Sequence, residues 1–249
     1  MNAPALEASG IVKHYGGVEV LSGIDLRADA GKVLALVGPS GCGKSTLLNI
    51  LSGLLAPDAG SLRVAGVPAE RFREWRRLAY MFQEDRLLPW RSVRDNVAFG
   101  LEAAGVARGE RQQRAQAALE LVGLADVAGA WPHELSGGMR SRVALARSLA
   151  VRPDVLLMDE PFSKLDPQTR AQMHEELLRI QAASGATIVF VTHDMEEAVV
   201  LADRIIRLLP GPGRVAEVVE LGALARPRDP MSTAIAERVR ALREAMRSA

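Results

Sequence analysis

One glycine-rich stretch decides the fold of this chain: Gly38-Pro39-Ser40-Gly41-Cys42-Gly43-Lys44-Ser45-Thr46. It has the pattern G-x-x-x-x-G-K-[ST]. An apolar run, Val33–Val37, precedes it, and a helix-forming run that we expect to reach about Leu54 follows it. Glycines let the backbone curl until successive amides point at one anion, and the following helix aims the positive end of its dipole at the same place. The stretch therefore predicts a phosphate-binding loop, in which Lys44 reaches the β- and γ-phosphates of a nucleotide and the Ser45 hydroxyl ligates Mg²⁺. A glycine turn before an ordinary helix is the alternative, and the strand and helix on either side disfavour it.

The bulk composition narrows the class of protein. A chain of 249 residues is long enough for one large domain, or for a domain with a subdomain. The net charge of +1 creates no global field that favours nucleic acid or anionic lipid. Cys42 is the only cysteine, which excludes an intrachain disulfide and fits a reducing compartment. No apolar run approaches the roughly 20 residues needed to cross a bilayer, and no signal peptide is visible. We therefore expect any membrane span to come from another chain.

The order of apolar runs predicts an α/β core that is interrupted by helices. Short strands are expected near the N-terminus, and continuous apolar runs further along predict buried strands. Between them, helical spacing predicts an inserted helical region. These expected elements are strands at Glu7–Lys13, Val18–Leu26, Val155–Met158 and Thr187–Val191, and helices at Val93–Ala104, Arg108–Leu121 and from about Arg140 to Ala150.

Polar residues suited to phosphate chemistry follow two of the predicted buried strands. Asp159 can hold Mg²⁺ through water, and Glu160 can orient and deprotonate an attacking water. His193 follows the next strand, at the sheet edge where ligands bind in open α/β folds, and its ring can bond a γ-phosphate. The alternatives are two solvated acids and a surface histidine.

Three further features have both a functional and a structural interpretation. Leu135-Ser136-Gly137-Gly138-Met139 places a capping serine and open amides at a helix start, which is either a second anion site or a plain N-cap. Tyr15 could stack on a base, although its spacing alone favours a packing role. Residues 84–90, which end in Leu87-Leu88-Pro89-Trp90, are either a partner surface or a loop folded onto its own core.

Together these motifs resemble the ATP-binding subunit of ABC transporters over nearly the whole chain, from about Leu6 to Asp229. The segments that match the family's motifs are, in chain order, the Walker A loop at Gly38–Thr46, the Q-loop at Gln83, the signature at Leu135–Met139, Walker B at Met158-Asp159-Glu160, the D-loop at Ser163–Asp166 and the switch histidine at His193. Tyr15 falls on the adenine-stacking aromatic, so the resemblance reverses the interpretation that spacing gave it.

The resemblance implies a P-loop NTPase core of the α/β class, with an N-terminal antiparallel β subdomain and an inserted helical subdomain. It implies a single ATPase domain over residues 1–249. The implied parts are a nucleotide-binding core at 6–83 and 153–225 and a helical subdomain that carries the signature at 84–152. Independently of the resemblance, the amphipathic pattern predicts a C-terminal helix within 226–249, more narrowly about Met231–Met246.

The resemblance also implies roles for these residues in a head-to-tail homodimer. One ATP would lie between the Walker A loop of one copy and Ser136, Gly137 and Gly138 of the other. Glu160 would act as the base, and His193 and Gln83 would sense the γ-phosphate. Ser45, Gln83 and Asp159 would serve the Mg²⁺ ion.

Shorter loops are similar to those of the nitrate, sulfonate and taurine importers: 83–90, Pro210–Val215 and Arg226-Pro227-Arg228-Asp229. Two positions depart from the family pattern, since Met139 replaces the usual glutamine of the signature and Lys164 replaces a small residue of the D-loop. The implied partners are permease subunits and, indirectly, a substrate-binding protein, at the cytoplasmic face of the bacterial inner membrane. No nucleic-acid partner is expected.

Four other classes remain as alternatives. An importer of another cargo, such as a thiamine precursor, would share every motif. A DNA-repair or chromosome ATPase would separate its halves by a long coiled coil, yet the insertion between Gln83 and Leu135 is short and has no heptads. A ribosome-associated factor would carry two cassettes, and a small-molecule kinase would have no use for the signature.

Overall fold

The computed structural model describes residues 3–224 and 226–247, and within them it contains ten strands and seven α-helices. The strands are β1 (Leu6–Tyr15), β2 (Val18–Ala28), β3 (Val33–Val37), β4 (Ala59–Val64), β5 (Val67–Pro68), β6 (Leu78–Met81), β7 (Val155–Asp159), β8 (Thr187–Thr192), β9 (Arg204–Leu209) and β10 (Arg214–Glu220). The helices are α1 (Lys44–Leu51), α2 (Val93–Ala103), α3 (Arg108–Leu121), α4 (Gly137–Ala150), α5 (Pro167–Ser184), α6 (Met195–Leu201) and α7 (Thr233–Arg247). Within the described ranges, no helix has the length and apolar character required to span a bilayer.

The chain forms two compact units. The first comprises the residues up to Trp75 together with those from Gly185 onward, and the second runs from Arg76 to Ser184. The boundaries implied by the resemblance, at 83/84 and 152/153, both fall inside the second unit, so that subdivision stays a prediction. The ranges implied by the resemblance also include residues 1, 2, 225, 248 and 249, which lie outside the described residues.

An antiparallel sheet forms the N-terminal part of the first unit, in the order β2-β1-β4-β5. Leu6 of β1 pairs with Ala28 of β2 on one side and with Val64 of β4 on the other. Alternate residues turn inward, and Leu6, Ile11 and Leu26 are buried. This alternation is typical of a sheet with one wet face. It confirms the expected antiparallel β region, although β5 and the short 3₁₀ turn at Trp75–Arg77 were not predicted.

A second sheet region of the first unit carries the glycine-rich loop. Strand β3 lies between β8 and β9 and is parallel to both, while β10 pairs antiparallel with β9. All five residues of β3 and all six of β8 are buried. Such uninterrupted apolar strands are typical of a parallel sheet covered on both faces. Because β3 and β8 are parallel, the loop after Val37 and the turn after Thr192 leave the sheet at the same edge.

The late Arg-Pro-Arg stretch closes the end of helix α6 in the first unit. The buried guanidinium of Arg228 donates from Nη1 to the carbonyls of Val199 and Ala202, at 2.7 and 2.5 Å, and from Nη2 to that of Leu221 at 2.8 Å. The last carbonyls of a helix have no intrahelical donor, so a cation there is favourable. This explains why an arginine occurs at this position after the final strand.

In the second unit, strands β6 and β7 run parallel, with Leu78 opposite Val155 and Met81 opposite Met158. Helices α2, α3 and α4 pack against one another, as expected for the helical insertion. Helix α4 begins at Gly137, three residues before the predicted run from Arg140, and the predicted capping residue Ser136 is its N-cap.

Helix α1 of the first unit is shorter than predicted and ends at Leu51 instead of Leu54. The amides of Leu54 and Leu55 both turn back to the carbonyl of Asn49 and close the helix end. The predicted helix at Met231–Met246 is found as α7, between Thr233 and Arg247.

Candidate nucleotide site

The glycine-rich loop joins β3 to α1, as the sequence predicts, and leads directly into the first turn of that helix. Gly41 and Gly43 have φ values of 80° and 90°, in the left-handed region that favours glycine. Gly43 precedes helix α1, and no side chain caps its first turn. The first amides of a helix have no intrahelical acceptor and attract an anion. The loop therefore has the backbone of a phosphate cradle.

Lys44 folds back across this loop. Its ammonium donates to the carbonyls of Gly38 and Pro39, both at 2.8 Å, and lies 3.8 Å from the Cys42 thiol. The residue is 8% exposed. The loop therefore holds a buried cation at the start of helix α1. Burial raises the pKa of the Cys42 thiol, so this cysteine is held as the neutral thiol.

The other predicted residues of the first unit end strands or begin helices. Ser45 is exposed and Thr46 is half-buried, both in the first turn of α1. Tyr15 ends β1 with 49% of its surface exposed, and the Lys13 ammonium lies 5.8 Å from the centre of its ring. His193 is exposed and directly follows β8. All are accessible to a ligand.

An unpredicted contact supports the glycine-rich loop from the turn between β9 and β10. Gly213 donates to the carbonyl of Val20 at 2.8 Å and accepts from the amide of Ser22 at 2.9 Å. A β-carbon built on Gly213 would lie 2.3 Å from the carbonyl oxygen of Cys42. Only glycine fits there. Pro210 and Pro212 both precede this glycine in the sequence, but nothing in the local pattern indicates what the turn touches.

In the second unit, the structure brings together Gln83 and Glu160. The parallel pairing of β6 and β7 carries the ends of both strands to one edge, where Gln83 Nε2 donates to Glu160 Oε2 at 3.1 Å. Asp159 is the buried last residue of β7. Glu160 is half-buried and adopts a φ of 48°, which is uncommon outside glycine. A strained residue at a strand end, next to an amide, is typical of a functional position.

The segment after Glu160 braces this pair. Both the amide and the hydroxyl of Ser163 donate to the Glu160 carbonyl, at 3.3 and 3.0 Å. Lys164 donates from Nζ to the carbonyl of Gln83 at 3.3 Å. Lys164, singled out only as a departure from the family pattern, thus contacts the residue whose amide bonds Glu160.

The predicted second anion site also lies in the second unit, at the start of α4. Ser136 is the N-cap, and its hydroxyl accepts from the amide of Met139 at 3.2 Å. Gly137 and Gly138 form the first helical turn and are half-buried. This geometry leaves backbone amides at an uncrowded helix start. Met139 occupies the usual glutamine position without disturbing the cap.

The loop that follows Gln83 exposes one large aromatic side chain. Trp90 is 70% exposed, whereas Leu87 and Leu88 are half-buried. The loop is pinned by the fully buried Asn96, whose Oδ1 accepts from the amide of Leu88 at 2.7 Å and whose Nδ2 donates to three carbonyls, of Leu88, Arg91 and Ser92, at 3.1, 3.0 and 3.0 Å. The two leucines are partly packed and the tryptophan is exposed to solvent, so the partner-surface interpretation of this loop stays a prediction.

Residues 21–163 match the family described as ABC transporter. The chain belongs to the ABC transporter family. This confirms the resemblance read from the motifs, and with it the ATP-binding cassette fold and the expected ATPase activity.

Two curated relatives illustrate how far the similarity extends. The taurine import ATP-binding protein of Chromobacterium violaceum is 46% identical over 222 residues, covering 86% of this chain and 82% of the relative. The aliphatic sulfonates import ATP-binding protein of Pseudomonas putida is 49% identical over 223 residues, covering 90% of this chain and 78% of the relative.

Solved ABC cassettes share the architecture. A dimeric structure of an ATP-binding cassette in a post-hydrolysis state, bound to ADP and Pi, superposes with a TM-score of 0.80 at 29% identity, covering 87% of this chain and 98% of the other. A second dimeric structure, of a bacterial ABC transporter cassette, gives a TM-score of 0.81 at 30% identity, with the same coverage. The cassette of this chain is therefore an ATP-binding ATPase module of the transporter class.

Proposed function

We propose that this ABC cassette hydrolyses Mg²⁺-bound ATP as a head-to-tail homodimer and energises the import of taurine, alkanesulfonates or related anions such as nitrate. The observation that carries hydrolysis, rather than binding alone, is the contact between Gln83 and Glu160. In this contact, an amide that would respond to the nucleotide's charge is hydrogen-bonded to the carboxylate that would orient the attacking water. The named activities of the taurine and sulfonate relatives support the cargo.

Each site residue has a distinct role in this proposal. The loop Gly38–Thr46 and its Lys44 bind the phosphates, and Tyr15 stacks on the adenine. Glu160 is the base, and His193 and Gln83 respond to the γ-phosphate. Ser136, Gly137 and Gly138 bind the nucleotide held by the other copy through their helix start.

The donor set fits Mg²⁺ well. Within residues 3–224 and 226–247 there is no cluster of three or more His, Cys, Asp or Glu side chains that could hold a metal. Mg²⁺ keeps several waters and binds chiefly through substrate phosphates, so a hydroxyl, an amide oxygen and one carboxylate suffice. In this proposal, Ser45, Gln83 and Asp159 would supply these groups. The ion would neutralise charge that develops on the phosphates.

The partners follow from the same proposal. A permease dimer would supply the membrane span, hold this subunit at the cytoplasmic face of the inner membrane, and receive cargo from a substrate-binding protein. The exposed Trp90 on its pinned loop is the surface that we assign to the permease. Trp90→Ala should weaken permease-stimulated ATPase activity more than ATP binding, and equal loss of both would make the loop purely structural.

The test of hydrolysis is Glu160→Gln. This variant should still bind ATP and accumulate as a dimer, because the phosphate-binding groups are untouched, while its ATPase rate falls by about a hundredfold or more. Hydrolysis at the wild-type rate would show that Glu160 is not the base.

Growth on defined sulfur and nitrogen sources tests which anion the transporter imports. Deletion of the gene should abolish growth on taurine or an alkanesulfonate as sole sulfur source, or on nitrate as sole nitrogen source, and leave growth on sulfate and ammonium unchanged. Normal growth on all of these would assign the transporter to another cargo.

A further inference from the structure

Two arginines on one face of α4 hold the loop that follows Gln83. Arg147 donates from Nη2 to the carbonyl of Asp85 at 2.6 Å and from Nη1 to that of Arg86 at 2.9 Å. Arg140, seven residues earlier, donates from Nε to the Asp85 carboxylate at 3.1 Å. Residues seven apart lie nearly two helical turns apart on the same face. The loop is thus fixed to the helix that begins at the signature.

Arg140 makes a second contact, and it reaches the start of the signature itself. Its Nη1 donates to the carbonyl of Leu135 at 2.8 Å, directly before the capping Ser136. One planar guanidinium therefore bonds Asp85 and Leu135 together. Lysine, which carries a single ammonium, lacks the fork of separate donors that arginine uses for these two acceptors.

The loop between these contacts is itself held in place on both sides of Asp85. Arg86 has a φ of 46°, and its guanidinium lies 3.7 Å from the centre of the Phe82 ring. Beyond it, the buried Asn96 holds both the amide and the carbonyl of Leu88. Because the loop is fixed on both sides of Asp85, a displacement of the loop must act on α4 through the arginines.

The groups that hold the loop differ in how far they are shielded from solvent. The side chains of Asp85 and Arg140 are 21% and 37% exposed. Burial lowers the pKa of the Arg147 guanidinium, so its two carbonyl bonds offset a real cost of desolvation.

We propose that Asp85 and Arg140 form a positioning pair that ties the signature to the loop after Gln83. A partner that moves this loop would thereby move Leu135 and Ser136 as one rigid piece. The inference rests on the proposed function, in which the signature of one copy binds the nucleotide of the other. Neither residue touches the reacting atoms of its own copy in this proposal.

The experiment measures ATP-dependent dimerisation by light scattering in a Glu160→Gln parent. Arg140→Gln and Asp85→Asn should each raise the ATP concentration for half-maximal dimer about three- to tenfold. Fluorescent ADP binding to the monomer should stay within about twofold, because the glycine-rich loop is untouched. Arg140→Lys should recover part of the loss, since an ammonium still reaches Asp85 but does not also hold Leu135.

The double variant and a matched control decide the outcome. The double variant Asp85→Asn with Arg140→Gln should need no more ATP for half-maximal dimer than the more impaired single variant. The reason is that both substitutions remove the same bond between Asp85 and Arg140. Arg179→Gln breaks an exposed Arg–Glu pair on α5 of the same unit and should leave dimerisation unchanged. Multiplied effects in the double variant, or an Arg140→Gln protein that dimerises like the Arg179→Gln control, would overturn the pair. A parent that never dimerises with ATP would instead overturn the proposed function, and this inference with it.

Discussion

Replacing Gly213 by alanine should damage ATP binding from a position outside the glycine-rich loop. The added β-carbon would lie 2.3 Å from the Cys42 carbonyl oxygen and 2.9 Å from that of Val20. Gly213 is itself held by two backbone hydrogen bonds, to Val20 and Ser22, so it has little room to retreat. The Cys42 peptide must therefore move.

The size of that movement follows from the contact distance. Separations below 3.0 Å are essentially never seen for a β-carbon, so the Cys42 oxygen must move from 2.3 Å to at least that distance. A misplacement of about 1 Å in a binding constellation costs on the order of a hundredfold in rate. Since the Lys44 ammonium is held by neighbouring carbonyls of the same loop, we expect the ATP concentration for half-saturation to rise roughly ten- to a hundredfold.

The assay is nucleotide binding by fluorescence, paired with a thermal melt. Gly222→Ala is the matched control, because nothing lies within 4 Å of its added β-carbon. Neither Gly213 nor Gly222 has a positive φ, so backbone strain does not separate the two variants. A Gly213→Ala protein that melts normally and binds ATP within about twofold of the wild type would refute the argument.

Three further substitutions probe contacts that the structure revealed. Arg228→Met should lower the melting temperature by about 6–12 °C, because roughly 3 kcal/mol of stability is lost when three buried carbonyls lose their donor. The control Arg240→Met, on the exposed face of α7, should leave the melting temperature unchanged. Asn96→Leu should cost about 2–4 kcal/mol in urea unfolding and reduce permease-stimulated ATPase activity, since it releases the loop that carries Trp90; an unchanged stimulation would separate the loop from the permease. Lys164→Ala should lower kcat about two- to fivefold at constant KM, because it frees the residue that bonds Glu160, whereas a change in KM alone would assign Lys164 to ATP binding.

The elements that the sequence predicted well are those whose pattern is local and uninterrupted. The bounds of β3 and α3 match because one is wholly apolar and the other keeps helical spacing. Strand β5 was missed because two residues carry no period. The cap of α4 was predicted correctly at Ser136, whereas its helical run was expected only from Arg140 because two glycines disfavour helix.

The candidate site was predicted as a set of residues and not as a set of contacts. Local motifs singled out Lys44 and Glu160, and the family resemblance added Gln83. The hydrogen bond between Gln83 and Glu160 depends on the pairing of β6 with β7, which a single sequence does not encode locally. The support from Gly213 to the Cys42 carbonyl and the bond from Lys164 to Gln83 join residues far apart in the chain. Such contacts arise from packing, so no local pattern announces them.

The left-handed backbone at Glu160 sets stability against activity at one position. A non-glycine residue there costs about 1–2 kcal/mol, which glycine would recover. Selection for heat resistance alone would therefore favour Glu160→Gly, a variant that would be inactive if Glu160 is the base, as proposed. If glutamate were retained under such selection, the result would indicate that this residue is kept for hydrolysis and not for folding.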